Sequence, residues 1–313
     1  MESVTLGQTG VTVTRLGLGL APIGGLYTAV GDEAARATIE AAWDGGVRFF
    51  DTAPFYGHGL SERRAGAVLS AKPRSSFTLS TKVGRRVRPA PPADPGVWGE
   101  PLENDVYWDF SGDGAVRSLE ESLERLGLDR VDVLHIHDPD DHYASAVAGA
   151  LPALVSLRAA GRIGAVSAGM NQAPMLADFV RTGMVDCVLL AGRYTLLDQR
   201  GLDELLPLCA DRRVSVIAAG VFNSGILAGG STFDYAPASA DVRARVDAIR
   251  AVCDTHGVPL RAAAVQFPLR HPAVACVLLG LRSPDEVRDA FAMLGHDIPE
   301  ELWRDLERAG LIR

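Results

Sequence analysis

The chain repeats one pattern with almost no interruption: a short apolar run, a helical period, then another apolar run. Residues 16–20, 47–52, 77–83, 131–137, 163–168, 186–190, 215–219 and 274–279 read as strands. Helical spacing follows at 33–44, 60–70, 114–126, 144–160, 174–182, 201–210, 241–256 and 284–293. Strands that alternate with helices pair in parallel, because a parallel partner needs a crossover and the helix supplies it. Eight such units predict an α/β fold closed into a (β/α)8 TIM barrel, one domain over residues 1–313. A doubly wound open sheet is the other arrangement these elements allow. VTLGQTGVTVT at the start predicts an N-terminal β-hairpin, and 299–309 an appended closing helix.

Composition excludes several classes. A formal charge of −8 with no basic stripe argues against a nucleic-acid partner. No apolar run approaches the roughly 18 residues of a membrane span. The N-terminus lacks a basic segment followed by an apolar core, so no secretory signal is expected and the chain reads as cytoplasmic. Cys187, Cys209, Cys253 and Cys276 are scattered with no CxxC pair, which fits reduced core thiols better than disulfides or zinc.

Three successive strands end on ionisable residues. VRFFDTA carries Asp51, FTLSTKVG carries Lys82 and VDVLHIHD carries His137, with Tyr56 just after the first. A charge at a buried strand end is costly unless it is paired or working. Every second side chain of a strand faces the same way. Asp51, Lys82 and His137 are therefore expected in one inward layer at the C-terminal mouth, with Ser80 and His135 in the layer below. Active sites of this barrel sit at that mouth. A tyrosine is a poor base at neutral pH, its pKa being about 10. An ammonium beside it would favour phenolate, so Lys82 is expected to lower the pKa of Tyr56, with Asp51 holding Lys82 charged.

Other chemistries use the same residues. His135, His137, Asp138, Asp140, Asp141 and His142 form a possible ligand cluster, although DPDDH is more often a solvated acidic loop, so no metal is assigned. Lys82 suits a Schiff base in a barrel aldolase, with Asp51 and Tyr56 as proton relay. A non-catalytic nucleotide-sensing subunit is a third class, disfavoured by the intact four-residue set. Residues 85–112 read as one long unstructured loop, mobile in its Pro-rich first half. Its aromatics Trp98, Tyr107, Trp108 and Phe110 suit a lid over a substrate.

FFDTAPFYG, the lysine of LSTKVG and the second histidine of LHIHDPD resemble the aldo-keto reductase family in order and spacing, with Tyr56 five residues after Asp51. The resemblance runs from the N-terminal hairpin to LLGLRSPDEV. HDPDDH further suggests the branch of aldose (L-fucose, D-threo-aldose) 1-dehydrogenases and pyridoxal 4-dehydrogenase relatives. The resemblance implies Tyr56, Lys82, Asp51 and His137 as catalytic residues, with Phe55, Trp98, Trp108 and Asp138 facing a carbohydrate or aldehyde substrate. It also implies a nicotinamide nucleotide, since no side chain supplies a hydride. The oxidation of a cyclic aldose to a lactone is the favoured reaction; pyridoxal oxidation or general carbonyl reduction are the alternatives.

The cofactor is not expected on GLGLAPIGG, where Pro22 occupies the last glycine position of a Rossmann fingerprint. Ser167 fits the family's carboxamide-binding serine, but Ala168 stands where its asparagine belongs, leaving Asn171 as the substitute. Phe222 is the nearest counterpart of the aromatic stacked on the nicotinamide. Ser224, Gly225 and Leu227 after strand seven, with Gly280, Arg282, Ser283 and Glu286 after strand eight, are implied around the phosphates and ribose. Ser283-Pro284-Asp285-Glu286 reads as a helix start. In NADP-using relatives an arginine occupies the position of Glu286, and a carboxylate there repels a 2′-phosphate, so NAD is expected, with NADP possible.

Overall fold

The computed structural model describes residues 1–99 and 101–313. Eight strands close into a parallel barrel: β1 (Leu16–Gly19), β2 (Phe49–Asp51), β3 (Thr78–Val83), β4 (Val133–His137), β5 (Ala165–Met170), β6 (Cys187–Ala191), β7 (Ser215–Ala219) and β8 (Val274–Gly280). Each pairs with its neighbours in sequence, and β8 closes on β1. The crossover helices are α1 (Asp32–Asp44), α2 (Leu60–Leu69), α3 (Gly112–Leu126), α4 (Leu151–Ala159), α5 (Ala173–Arg181), α6 (Leu205–Arg212), α7 (Ala240–Thr255), α8 (Leu260–Gln266) and α9 (Pro284–Leu294), followed by α10 (Glu300–Arg308). Sequence periodicity omits α8, a short alanine-rich helix begun at Pro259. Among the described residues no helix is long and apolar enough to cross a membrane.

Strand alternation divides the core in two. Leu16, Leu18, Phe50, Leu79, Leu134 and Ile136 face outward and pack under the helices. Phe49, Val133, Ala165, Cys187, Leu189, Ile217, Cys276 and Leu278 fill the barrel interior. The N-terminal hairpin, Ser3–Thr5 against Thr12–Thr14, brings Leu6 and Val13 into that inner cluster. The apolar plug fills the barrel's lower part, leaving the polar strand ends for its upper end.

Residues 85–112 depart from expectation. They form an antiparallel hairpin, Arg85–Ala93 against Leu102–Trp108, rather than an unstructured loop; Glu100, within that stretch, lies outside the described residues. Cross-strand pairs explain it: Val87 faces Val106, and Arg88 bonds Asp105 at 2.6 Å. Arg86 also reaches Glu121 of α3. The prolines that obscure the pattern are tolerated because both strands of a two-stranded ribbon are edges.

Candidate active site

The mouth of the barrel is built on a buried ion pair. Lys82 Nζ lies 2.6 Å from Asp51 Oδ2 and donates a second hydrogen bond to the Thr52 carbonyl at 2.8 Å. Ser80 donates to Asp51 Oδ1 at 2.6 Å. Both charged side chains are 2% exposed. Burial pulls the pKa of Lys82 down and Asp51 pushes it back; the short, doubly bonded geometry is that of a charged pair. Breaking such a pair from one side typically costs about 3–5 kcal/mol, because it strands the remaining charge.

The expected layering needs one correction. Register sets Asp51 opposite Ser80 and Lys82 opposite His135. His135 Nε2 comes within 3.6 Å of Asp51 Oδ1, so His135 shares the ion pair's layer. His137, opposite Gly169, stands a step higher. Strands in a closed barrel are staggered, so equal positions on neighbouring strands do not lie at equal height.

Tyr56 sits between the two levels. The Lys82 ammonium lies over its ring, 4.7 Å from the centroid. The His137 ring meets it edge-on at 5.8 Å and 89°. The expectation that Lys82 lowers the tyrosine's pKa is not met. Burial raises it well above the ordinary value, Asp51, Asp138 and Tyr235 add to the rise, and Arg85 opposes them. Tyr56 is thus a neutral phenol, able to donate a proton to an oxygen before it. Burial likewise holds His135 and His137 neutral, with pKa values well below the ordinary one.

From Tyr56 a cavity of about 540 Å³ runs over the ends of β6, β7 and β8 to the face of α9. Asn171, Phe222, Ser224, Gly225, Gly280, Arg282 and Glu286 line it, as do Asp51 and Tyr56. Ser167, Leu227 and Ser283 do not. Ser167 is fully buried and bonds His135 Nδ1 at 2.7 Å, so Asn171 is the amide that reaches the cavity beside the site. Leu227 is a core residue. Ser283 caps α9, its hydroxyl accepting from the Glu286 amide. Arg282 is paired with Glu286 at 2.8 Å, and its own amide donates to that carboxylate at 2.9 Å. The volume, the glycine-lined wall and the arginine–carboxylate pairs at the far end fit an extended nicotinamide nucleotide.

Sequence reasoning omits several cavity residues. Gly192 and Gly220, both left-handed (φ 69° and 63°), form the wall immediately after β6 and β7. Asn223, also left-handed at φ 47°, is held there by Thr195 at 2.6 Å and the Gly192 carbonyl at 3.1 Å. Arg261 of α8, bonded to Asp289 at 2.9 Å, completes the rim. Tyr27 and Tyr235, from loops far apart in sequence, meet at 6.2 Å beside the opening. A glycine directly after a strand, as in LLAGRY and AAGVFN, is the signal that could have marked the first two.

The proposed substrate residues cluster on the other side of Tyr56. Phe55 contacts Trp98 at 5.3 Å and His137 at 6.1 Å. Trp98 is buried, whereas Trp108 is half exposed and stacks on Phe110. Asp138 Oδ2 is 3.6 Å from His137 Nε2 and 2.7 Å from an Arg85 nitrogen. Burial weakens both charges of that second pair, raising the Asp138 pKa and lowering that of Arg85, and each partner offsets the effect for the other. Arg85 has no sequence mark of its own; the hairpin brings it in. Among the described residues, no group of three or more His, Cys, Asp or Glu is placed to hold a metal ion.

Comparison with known proteins agrees with this geometry. Residues 15–310 match the model of the aldo/keto reductase family. The chain is similar to a pyridoxal 4-dehydrogenase of Microbacterium luteolum, 44% identical with 99% of this chain and 98% of that one covered. It is also similar to a D-threo-aldose 1-dehydrogenase of a Pseudomonas species, 42% identical over 97% and 96% of the two chains. Among solved structures, a glycerol dehydrogenase from Gluconobacter oxydans shares the fold with a TM-score of 0.78 at 23% identity, covering 98% of this chain and 94% of that one. The chain belongs to the aldo/keto reductase family and is an NAD(P)-dependent oxidoreductase built on a (β/α)8 barrel.

Proposed function

We propose that the protein oxidises a cyclic aldose at its anomeric hydroxyl to a lactone, with NAD as preferred acceptor and NADP usable. The observation that carries the substrate class is the charged pair of Asp138 and Arg85 beside His137, only partly closed from solvent. A polyol can satisfy the remaining hydrogen-bonding capacity of such groups; an apolar aldehyde would desolvate it without replacement. The similarity to a D-threo-aldose 1-dehydrogenase supports the same reading.

Bound nicotinamide would supply the hydride acceptor, held by Asn171 and Phe222 near Tyr56 and by the loops after β7 and β8. Tyr56, as phenolate, takes the proton of the anomeric hydroxyl. Its raised pKa makes that phenolate a strong base but a scarce one at neutral pH. Neutral His137 orients the substrate oxygen with a ring N–H. Lys82, fixed by Asp51, offsets negative charge as the tyrosine ionises. Gly280, Arg282 and Glu286, which line the far end of the cavity, would hold the ribose and phosphates of the adenosine half. The carboxylate of Glu286, already occupying Arg282, disfavours a 2′-phosphate there.

The test is a screen of aldoses, pyridoxal and simple aldehydes with both nucleotides, with the oxidation product identified by NMR. Lactone formation with aldoses is expected. Activity confined to hydrophobic aldehydes, with none on aldoses, would refute it. The aromatic wall of Phe55, Trp98 and Trp108 favours pyridoxal as a second reading, in line with the similarity to a pyridoxal 4-dehydrogenase; the same screen ranks the two.

A further inference from the structure

The Arg85 guanidinium is held on several sides. Gly84, left-handed at φ +104°, turns the chain out of β3 where a side chain would run into the Phe110 ring. Arg85 Cζ then lies 4.2 Å from the centroid of Phe55 and 4.4 Å from that of Trp108. One terminal nitrogen donates to Asp138 Oδ2 at 2.7 Å. The Nε–H is buried and has no hydrogen-bond partner among the described residues. A buried donor without an acceptor is a standing cost, and in a substrate pocket it marks an acceptor that the substrate can bring.

Asp138 is as firmly placed. Its backbone is left-handed at φ 42°, and its amide donates to the Gly169 carbonyl at 3.1 Å. Both side-chain contacts described above run through Oδ2, and the side chain is 31% exposed. Oδ1 therefore keeps its lone pairs for a donor from outside the protein. An unmet donor and an unmet acceptor thus lie on one hydrogen-bonded pair, beside the histidine that adjoins Tyr56. The half-exposed indole of Trp108 covers the guanidinium, so a ligand reaches Nε by displacing it.

We propose that Arg85 and Asp138 together read two adjacent ring hydroxyls of the aldose, Arg85 donating to one oxygen and Asp138 accepting from its neighbour. Arg85 is then a specificity-determining residue of the pocket. This rests on the aldose reading above. The positive and negative groups require a substrate with an acceptor and a donor on neighbouring carbons, which an aldose has and a simple aldehyde lacks. The pair also explains why an arginine is spent inside an aromatic clamp: the rings fix its fork in one plane, so little is lost in ordering it when substrate arrives.

The experiment compares kcat/KM of the wild type and Arg85→Gln for D-arabinose and for its 2-deoxy and 3-deoxy analogues. The variant is expected to lose about 10- to 100-fold on D-arabinose, mainly through KM, as for a hydrogen bond to a charged group. On at least one deoxy analogue the loss should be several-fold smaller, because the wild type has already forfeited that contact. A D-arabinose titration, without turnover, should change tryptophan emission in the wild type and not in Trp108→Phe. Equal losses on all three sugars would make Arg85 a scaffold for the hairpin and overturn the proposal. Should the glutamine variant fail to fold, Arg85→Lys keeps the charge and loses the fork, and the same sugars decide. A wild type that oxidises another alcohol but no aldose would remove the aldose reading itself, and the proposal with it.

Discussion

The Lys82 ammonium lies over the face of the Tyr56 ring, 4.7 Å from its centroid, while its hydrogen bonds go to Asp51 and the Thr52 carbonyl. Lysine and tyrosine are therefore coupled through space across a ring face, and the carboxylate that fixes the lysine also bears on the phenol. The net effect of burial and carboxylates is to keep Tyr56 protonated.

Tyr56→Phe should reduce turnover by about 10²–10⁴-fold, the usual worth of a general acid or base. Nucleotide affinity, measured by fluorescence titration, should change little, since the phenolic oxygen is the only atom removed. Wild-type turnover in this variant would show that another group handles the proton.

Lys82→Met leaves Asp51 unpaired beside Tyr56, which raises the phenol's pKa further. Oxidation by the wild type should rise with pH through the alkaline range, and the variant's limb should shift to higher pH with a lower rate. Asp51→Asn should act more mildly, removing a charge that raises the tyrosine's pKa while loosening Lys82. An unchanged pH profile in folded Lys82→Met would remove the coupling.

His135 and His137 stay neutral in the fold because burial outweighs all else, with Lys82 and Arg85 adding to the effect. The unfolded chain takes up protons at these residues near the ordinary value of about 6.5, and the folded chain does not. Stability should therefore fall as pH drops below about 6.5, by up to roughly 1.4 kcal/mol per pH unit for each histidine. Asp138, with its pKa raised by burial, works in the opposite sense at lower pH. Urea unfolding at steps between pH 7.5 and 5 measures the slope; a flat profile would contradict the burial of neutral imidazoles.

Glu286→Arg should move cofactor preference toward NADP by about tenfold or more. The change removes the carboxylate that pairs with Arg282 and leaves two guanidinium groups for a 2′-phosphate. The ratio of kcat/KM values for the two nucleotides is the readout. A ratio unchanged by the substitution, or a wild type already favouring NADP tenfold, would refute the role of this carboxylate.

Sequence alone determined the repeated strand and helix order, and from it the expectation of a barrel; the pairing of β8 with β1 decided for closure over an open sheet. Period-two alternation within FFD, TLSTKV and VLHIH placed Asp51, Ser80, Lys82, His135 and His137 on the inward face, because side-chain direction in a strand is a local property. Tertiary structure decided what depends on register and on distant segments. The stagger of a closed barrel set His135 beside Asp51 and lifted His137 to Tyr56. Pairing across residues 85–108 turned a Pro-rich stretch into a hairpin that delivers Arg85 to Asp138, and the cavity wall was assembled from loops after six different strands. Those contacts span tens of residues, and their free energy comes from packing and desolvation that no local pattern encodes.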